Sequence, residues 1–134
     1  MKNVKVFIID DSPFYRRLFK KMILAVPGIR IIGEAKDSLS ALKFIRRLKP
    51  DVIIMDVKTQ WSFGIDLMKN LRRVTSIPKV IMLAGESYFR YQSKAEKADF
   101  FLNKFTEYQK IPEILKRFTS NLPFEPGRRK GRYS

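Results

Sequence analysis

At 134 residues, with 45% apolar and 31% charged side chains, the chain has the size and composition of one globular domain with a sizeable core. Cysteine and histidine are both absent, which excludes disulfides, thiolate and imidazole metal sites, His general bases and the Ser-His and Cys-His nucleophile pairs. The 28 Lys+Arg against 13 Asp+Glu leave a net charge of +15, which suits an acidic partner (nucleic acid, anionic membrane or acidic protein) or simply a basic, solvated helix surface.

Val4-Lys5-Val6-Phe7-Ile8-Ile9 reads as a buried strand running into Asp10-Asp11. Ser12-Pro13 offers an N-cap followed by Pro at the first helical position, and Phe14, Leu18 and Met22 follow at helical spacing. Pro27-Gly28 ends that helix, and Ile29 to Ala35 reads as a second strand. Asp37-Ser38 caps a helix that points Leu42, Ile45 and Leu48 inward and Lys43, Arg46, Arg47 and Lys49 outward. Val52-Ile53-Ile54-Met55-Asp56 is a strand buried on both faces that ends on a carboxylate, a group too costly to bury without cations, water or a metal. A third helix spans about Ile65 to Arg73, and Pro78 introduces the strand Val80 to Ala84. Gly85 punctuates the chain, and Ser87 caps a helix to about Lys97. Asp99 to Asn103 is a short fifth strand followed by Lys104, and a last helix starts near Pro112 and carries Ile114, Leu115 and Phe118 inward.

Strand and helix alternate five times, which predicts an α/β fold with a parallel sheet and helices on both faces. The expected organisation is one domain over 1–122 and a basic, mobile tail over 123–134, ending Arg128-Arg129-Lys130-Gly131-Arg132. No run approaches the roughly 20 apolar residues of a membrane span, the N-terminus has no signal-peptide layout, and a cysteine-free composition fits the cytoplasm.

Ligands of parallel α/β sheets bind at the carboxyl ends of the strands, where this chain places Asp10, Asp11, Asp56, Ala84 and Lys104. Crowded carboxylates raise one another's pKa unless a cation sits among them, and with oxygen ligands only that cation is Mg2+, or Mn2+ as a substitute. Lys104 can neutralise a phosphoryl oxygen, and an aspartate can itself be the nucleophile that forms an aspartyl-phosphate. The set points to phosphoryl transfer.

The residues Phe7-Ile8-Ile9-Asp10-Asp11-Ser12-Pro13, Asp51 to Asp56 with Gly64 eight residues on, Val80-Ile81-Met82-Leu83 and Lys104 together resemble the receiver domain of two-component response regulators, over about Lys2 to Asn121. The resemblance is to the stand-alone, chemotaxis-regulator-like members. It implies a flavodoxin-like doubly wound sheet of order 2-1-3-4-5 and a phosphoryl group accepted on Asp56 from a histidine kinase or phosphotransfer protein. It also implies Mg2+ held by Asp11, Asp56 and the backbone carbonyl of Lys58, with Asp10 ligating through water and Lys104 pairing with the phosphoryl oxygen. Phe101 stands at the family's aromatic switch position, Lys58 and Glu86 where the family tunes dephosphorylation, and residues 88–105 on the face that binds downstream protein partners. No dedicated enzymatic output is expected beyond phosphorylation and dephosphorylation of Asp56 itself.

The chain departs from the family in three places. The Thr or Ser whose hydroxyl bonds the phosphoryl group is Ala84, so a charge-assisted hydrogen bond worth about 1.5–3 kcal/mol is missing and coupling is either weak or routed through Ser87 or the Gly85 amide. The proline after the lysine is Phe105, which predicts a trans Lys104–Phe105 peptide and an altered loop. The Met-Pro of the loop after the acceptor is Thr59-Gln60, with the large Trp61 and Phe63 beyond it.

The aromatic series Tyr88, Phe89, Tyr91, Phe100, Phe101 and Phe105 lies on the partner face, and adjacent Phe100 and Phe101 must point to opposite sides of their strand. The reading that follows is a single-domain response regulator that signals by protein contacts, with no room after Asn121 for an output domain. Its alternative is a pseudo-receiver that binds nucleic acid or an acidic protein constitutively, favoured by Ala84 and the charge. A Mg2+-dependent phosphatase with an aspartyl nucleophile ranks third, because no second domain is present to close over a substrate.

Overall fold

The computed structural model describes residues 3–60, 65–74, 77–85 and 98–120. Five strands, β1 (Val4–Ile9), β2 (Ile29–Ala35), β3 (Val52–Asp56), β4 (Lys79–Ala84) and β5 (Phe100–Asn103), form one parallel sheet of order β2-β1-β3-β4-β5. Helices cover both faces, so the fold is the flavodoxin-like arrangement expected. The β-branched residues of β3 are fully buried because α/β crossovers leave a central strand no solvent side.

Helix α1 (Pro13–Leu24) and helix α4 (Ile111–Thr119) pack on one face, over a core that includes Val6, Ile8, Ile54, Ile81, Phe100 and Leu115. Helices α2 (Ser38–Leu48) and α3 (Leu67–Leu71) pack side by side on the other, over Phe7, Ile9, Ile53, Met55, Met82 and Phe101. Phe100 and Phe101 therefore do point apart, and both are buried because both sides of the sheet are core; Phe100 meets Phe118 of α4 edge-on, with ring centroids 6.4 Å apart.

The termini of the helices follow their capping residues. The Ser12 hydroxyl accepts from the Tyr15 amide, with Pro13 opening α1, and the Asp37 carboxylate accepts from the Ser40 amide at 2.8 Å at the start of α2. Lys49 closes α2 in the left-handed region at φ 50°, immediately before Pro50, which cannot continue a helix. Gly33 sits where the β1–β2 register shifts, and the Phe7 ring lies 2.8 Å from where a Cβ would stand, so the ring packs flat on bare backbone.

Two expectations need correction. On α1, Leu18 and Met22 do pack half-buried against the core, but Phe14 does not. Phe19 and Ile23 are buried with Tyr15 beside them, Leu18 and Met22 flank that stripe, and Phe14 is 60% exposed. Two apolar stripes run one residue apart along this helix, and tertiary packing selects the second. Helix α3 is also shorter than Ile65 to Arg73, because the Asp66 side chain accepts from the Lys69 amide and makes Asp66 the cap rather than a helical residue.

Candidate functional site

Strands β1 and β3 deliver their carboxylates side by side. Asp10 follows β1, where its amide donates to the Ala35 carbonyl at 3.0 Å, and its Oδ1 accepts from the Ser12 amide at 2.9 Å. Asp56 ends β3, its Oδ1 accepting from the Lys58 amide at 2.7 Å and its carbonyl from the Thr59 hydroxyl at 2.6 Å. Both side chains are buried, whereas Asp11 is exposed at the rim.

Lys104 reaches between them from the end of β5, which is pinned to β4 by its amide donating to the Ala84 carbonyl at 2.9 Å. Its Nζ hydrogen-bonds Asp56 Oδ2 and lies 2.7 Å from Asp10 Oδ2. The second contact is an ion pair without hydrogen-bond alignment, so Asp10 Oδ2 is buried with no well-directed donor.

Burial pushes the Asp10 carboxyl above its ordinary 3.8, against the opposing pull of Lys104 and the Ser12 amide and with the Asp56 charge adding to the rise. Burial alone would lower Lys104, but its close contacts and charge pairing with Asp10 and Asp56 outweigh that and raise it above 10.5. The lysine is thus a firmly protonated internal counter-ion.

One oxygen from each of Asp10, Asp11 and Asp56 lies within 4.8 Å of the others. An all-carboxylate donor set, one side open at Asp11 and one buried oxygen without an aligned donor together fit a hard divalent cation.

The other wall of the lysine is aromatic. Lys104 Nζ stands 4.2 Å from the centroid of the Tyr15 ring, within cation–π range, and Phe105 lies against Tyr15 with centroids 6.3 Å apart. Phe105 also covers Gly85, its Cζ 2.7 Å from where a Cβ would sit, so a side chain at 85 would require the ring to move. The Lys104–Phe105 peptide is trans. The loop is held by Asn103, whose Oδ1 accepts from the Phe105 and Thr106 amides at 2.9 and 3.2 Å; the first of these donors is one a proline would lack. Ala84 is wholly buried within the α2–α3 core, so no hydroxyl faces the site from that position.

Of the residues singled out in the sequence, the structure brings Asp10, Asp11, Asp56 and Lys104 together. Lys58 is exposed beside them, and Phe101 is buried away from solvent. Trp61, Phe63, Gly64, Glu86, Ser87, Tyr88, Phe89, Tyr91 and the tail from Pro123 lie outside the described residues.

The sequence reading missed four contributors. Besides Tyr15, they are Arg16, Thr59 and Gln60. Arg16 donates to the Asp10 carbonyl at 2.6 Å while pairing with Glu34 at 3.0 Å. Gln60 is buried, and its side chain bonds Asp66 and the Met68 amide, tying the loop after Asp56 to the start of α3.

A family profile described as the response regulator receiver domain matches residues 6–116. The chain belongs to that family. The receiver is 30% identical to the response regulator domain of Thermotoga maritima CheB, with a TM-score of 0.69 over 88% of this chain and 95% of that one. The isolated REC domain of RcsB from Salmonella enterica serovar Typhimurium, at 20% identity, shares the fold with a TM-score of 0.77 over 92% of this chain and 93% of that one. A protein-glutamate methylesterase/protein-glutamine glutaminase of Vibrio vulnificus is 37% identical over 81 residues, which is 60% of this chain and 24% of that protein. The receiver spans about a quarter of the length of the curated relatives it matches. Family membership places it in two-component signalling as a phosphoacceptor domain. No helix among the described residues is long and apolar enough to cross a membrane.

Proposed function

We propose that Asp56 accepts a phosphoryl group from the phosphohistidine of a histidine kinase or phosphotransfer protein, and that the receiver then signals through protein contacts. The observation that carries this is the placement of Lys104 Nζ on Asp56 Oδ2 and 2.7 Å from the buried Oδ2 of Asp10. A nucleophilic carboxylate, a fixed cation and an open carboxylate rim stand at one strand end.

An Asp56 carboxylate oxygen forms the new bond to phosphorus as the P–N bond to the donor imidazole breaks, leaving the donor histidine neutral once it takes up a proton. Lys104 remains protonated and turns from the carboxylate oxygen to an oxygen of the arriving group. The Lys58 amide, already on Asp56 Oδ1, orients the acceptor. Asp11, Asp56 and the Lys58 carbonyl would hold Mg2+, with Asp10 ligating through water. When bound, the ion neutralises charge on the transferring phosphoryl oxygens. Tuning of dephosphorylation falls to Lys58 and Glu86, the partner face to residues 88–105 with Phe101 as the switch position, and the compartment is the cytoplasm, where the phosphohistidine donor is made. The receiver proper would span 1–122, with 123–134 as an appendage.

Incubating the chain with acetyl phosphate and Mg2+ should add one phosphoryl group by intact mass, and Asp56→Asn should abolish it. A native chain that gains no adduct, or an adduct that survives the substitution, overturns the reading.

A further inference from the structure

Most carboxylates of the described residues are turned inward. Asp37 and Asp66 cap helices, Asp51 accepts from the Lys5 amide and Asp99 from the Val80 amide, and Glu107 accepts from the Asn103 amide. Glu34 is held by Arg16 and Lys20, and Asp10 and Asp56 by Lys104. Among the described residues the exposed carboxylates are Asp11 and Glu113.

The basic side chains are distributed in the opposite way. Lys43, Arg46 and Arg47 on α2, with Lys69, Arg72 and Arg73 on and just after α3, are all exposed, and these two helices lie side by side on one face of the sheet. Favourable interaction with the helix C-terminal dipole accounts for one or two cations per helix, not for a face from which acids are missing.

We infer that the α2–α3 face binds the phosphate backbone of a nucleic acid. The geometry separates this partner from the other polyanions. A lipid surface would be gripped by apolar side chains set among the cations. Here Leu67, Met68 and Leu71 are buried; Leu39 and Phe44 of α2 are 39% and 42% exposed, but the Phe44 ring is tilted against Phe7 at 6.3 Å, and two such side chains beside six cations make no apolar stripe. An acidic protein would need a large apolar or aromatic centre to carry affinity, and among the described residues this face offers only the half-exposed Leu39 and Phe44. A repeating phosphate backbone needs only cations spread along a surface, and four of the six are arginines, whose guanidinium matches a phosphate bidentately. The face shares no residue with the carboxylate site, so it stands or falls separately from phosphoryl transfer.

The test uses the full chain with a labelled 30-base-pair duplex of mixed sequence, titrated from low to moderate salt. Log K should fall linearly with log salt, and replacing Arg46, Arg47, Arg72 and Arg73 together by Gln should weaken binding at least tenfold and flatten the slope by about 3–4, near 0.9 per lost phosphate contact. The quadruple variant with Arg17, Lys21, Arg30 and Lys116 replaced by Gln carries the same net charge and should bind nearly as the native chain does. Equal loss in both variants would mean that total charge, not this face, binds, and would overturn the inference. So would a flat salt plot, tighter binding to phosphatidylserine vesicles than to the duplex, or displacement of the duplex by polyglutamate at equal charge. Circular dichroism of both variants checks that each is folded. If the first is not, Lys43→Gln with Lys69→Gln replaces it, with about half the slope change expected.

Discussion

On the β1–β3 side of the site, Asp10 and Asp56 are each held by a backbone amide two residues ahead, a placement that suits the proposed phosphoacceptor. On the β4–β5 side the surroundings are rebuilt. Ala84 offers no hydroxyl, Gly85 is covered by Phe105, Asn103 shapes the loop, and the Tyr15 ring lies against the ammonium. The comparison teaches that the two halves carry separable tasks. The first half fixes the proposed acceptor; the second fixes only where one lysine points, and here a ring face and a side-chain cap do it. Lys104 is the single group shared by both halves, so substitutions around it rank by how much of each half they disturb.

The largest expected effect is Lys104→Ala. It leaves Asp10 and Asp56 buried side by side without their cation, and removing one partner of such a cluster costs about 3–5 kcal/mol. Urea unfolding in chelator should show that loss, and Mg2+ should restore part of it by replacing the missing charge. A loss below about 1 kcal/mol would mean that the two halves are not joined through this lysine.

A smaller effect isolates the aromatic wall. Tyr15→Leu keeps apolar volume but removes the ring face, with an expected loss of about 0.5–2 kcal/mol from Lys104 anchoring. Tyr15→Phe should match the native chain, since no hydroxyl contact is invoked. The Lys104 side-chain methylene resonances report directly on the wall: they should lie upfield from ring current in the native and Phe proteins and return toward free-lysine positions in the Leu protein. Unchanged resonances in Tyr15→Leu would assign the ring a packing role only.

Much of the fold was legible because a doubly covered parallel sheet imposes runs such as Val52 to Met55 that no exposed element tolerates, and because caps such as Ser12 and Asp37 announce helix starts. Asp10, Asp11, Asp56 and Lys104 were legible for a related reason: once the strands are placed, residues that follow them share one end of the sheet. What stayed hidden depended on choices between equals. Phe14 and Tyr15 are adjacent aromatics on a helix with two apolar stripes, and only the position of the sheet decides which one turns in. The meeting of Tyr15 with Lys104 joins residues far apart in the chain, and no local pattern encodes it. The shortening of α3 likewise rests on Asp66 being used as a cap, which a periodicity reading counts as one more helical position.

The smallest effect tests whether the acid half extends beyond its carboxylates. Arg16 donates to the Asp10 carbonyl and is held in turn by Glu34, which also pairs with Lys20 at 2.5 Å. The Lys20 hydrogen bond, opposed by partial burial and joined by Arg16, sets the Glu34 carboxyl below its ordinary 4.5. A carboxyl lowered in the folded state contributes stability that is fully present above the unfolded value and is lost as pH falls through the folded one. Glu34→Gln should therefore cost about 0.5–1 kcal/mol at neutral pH, the modest figure suited to a part-exposed pair. The native and variant urea midpoints should converge as pH drops well below 4.5. Because Arg16 loses its brace but keeps its bond to Asp10, adduct formation with acetyl phosphate should stay close to the native rate; a clear slowing would move the strut of Glu34 and Arg16 from scaffold into the acid half of the site itself.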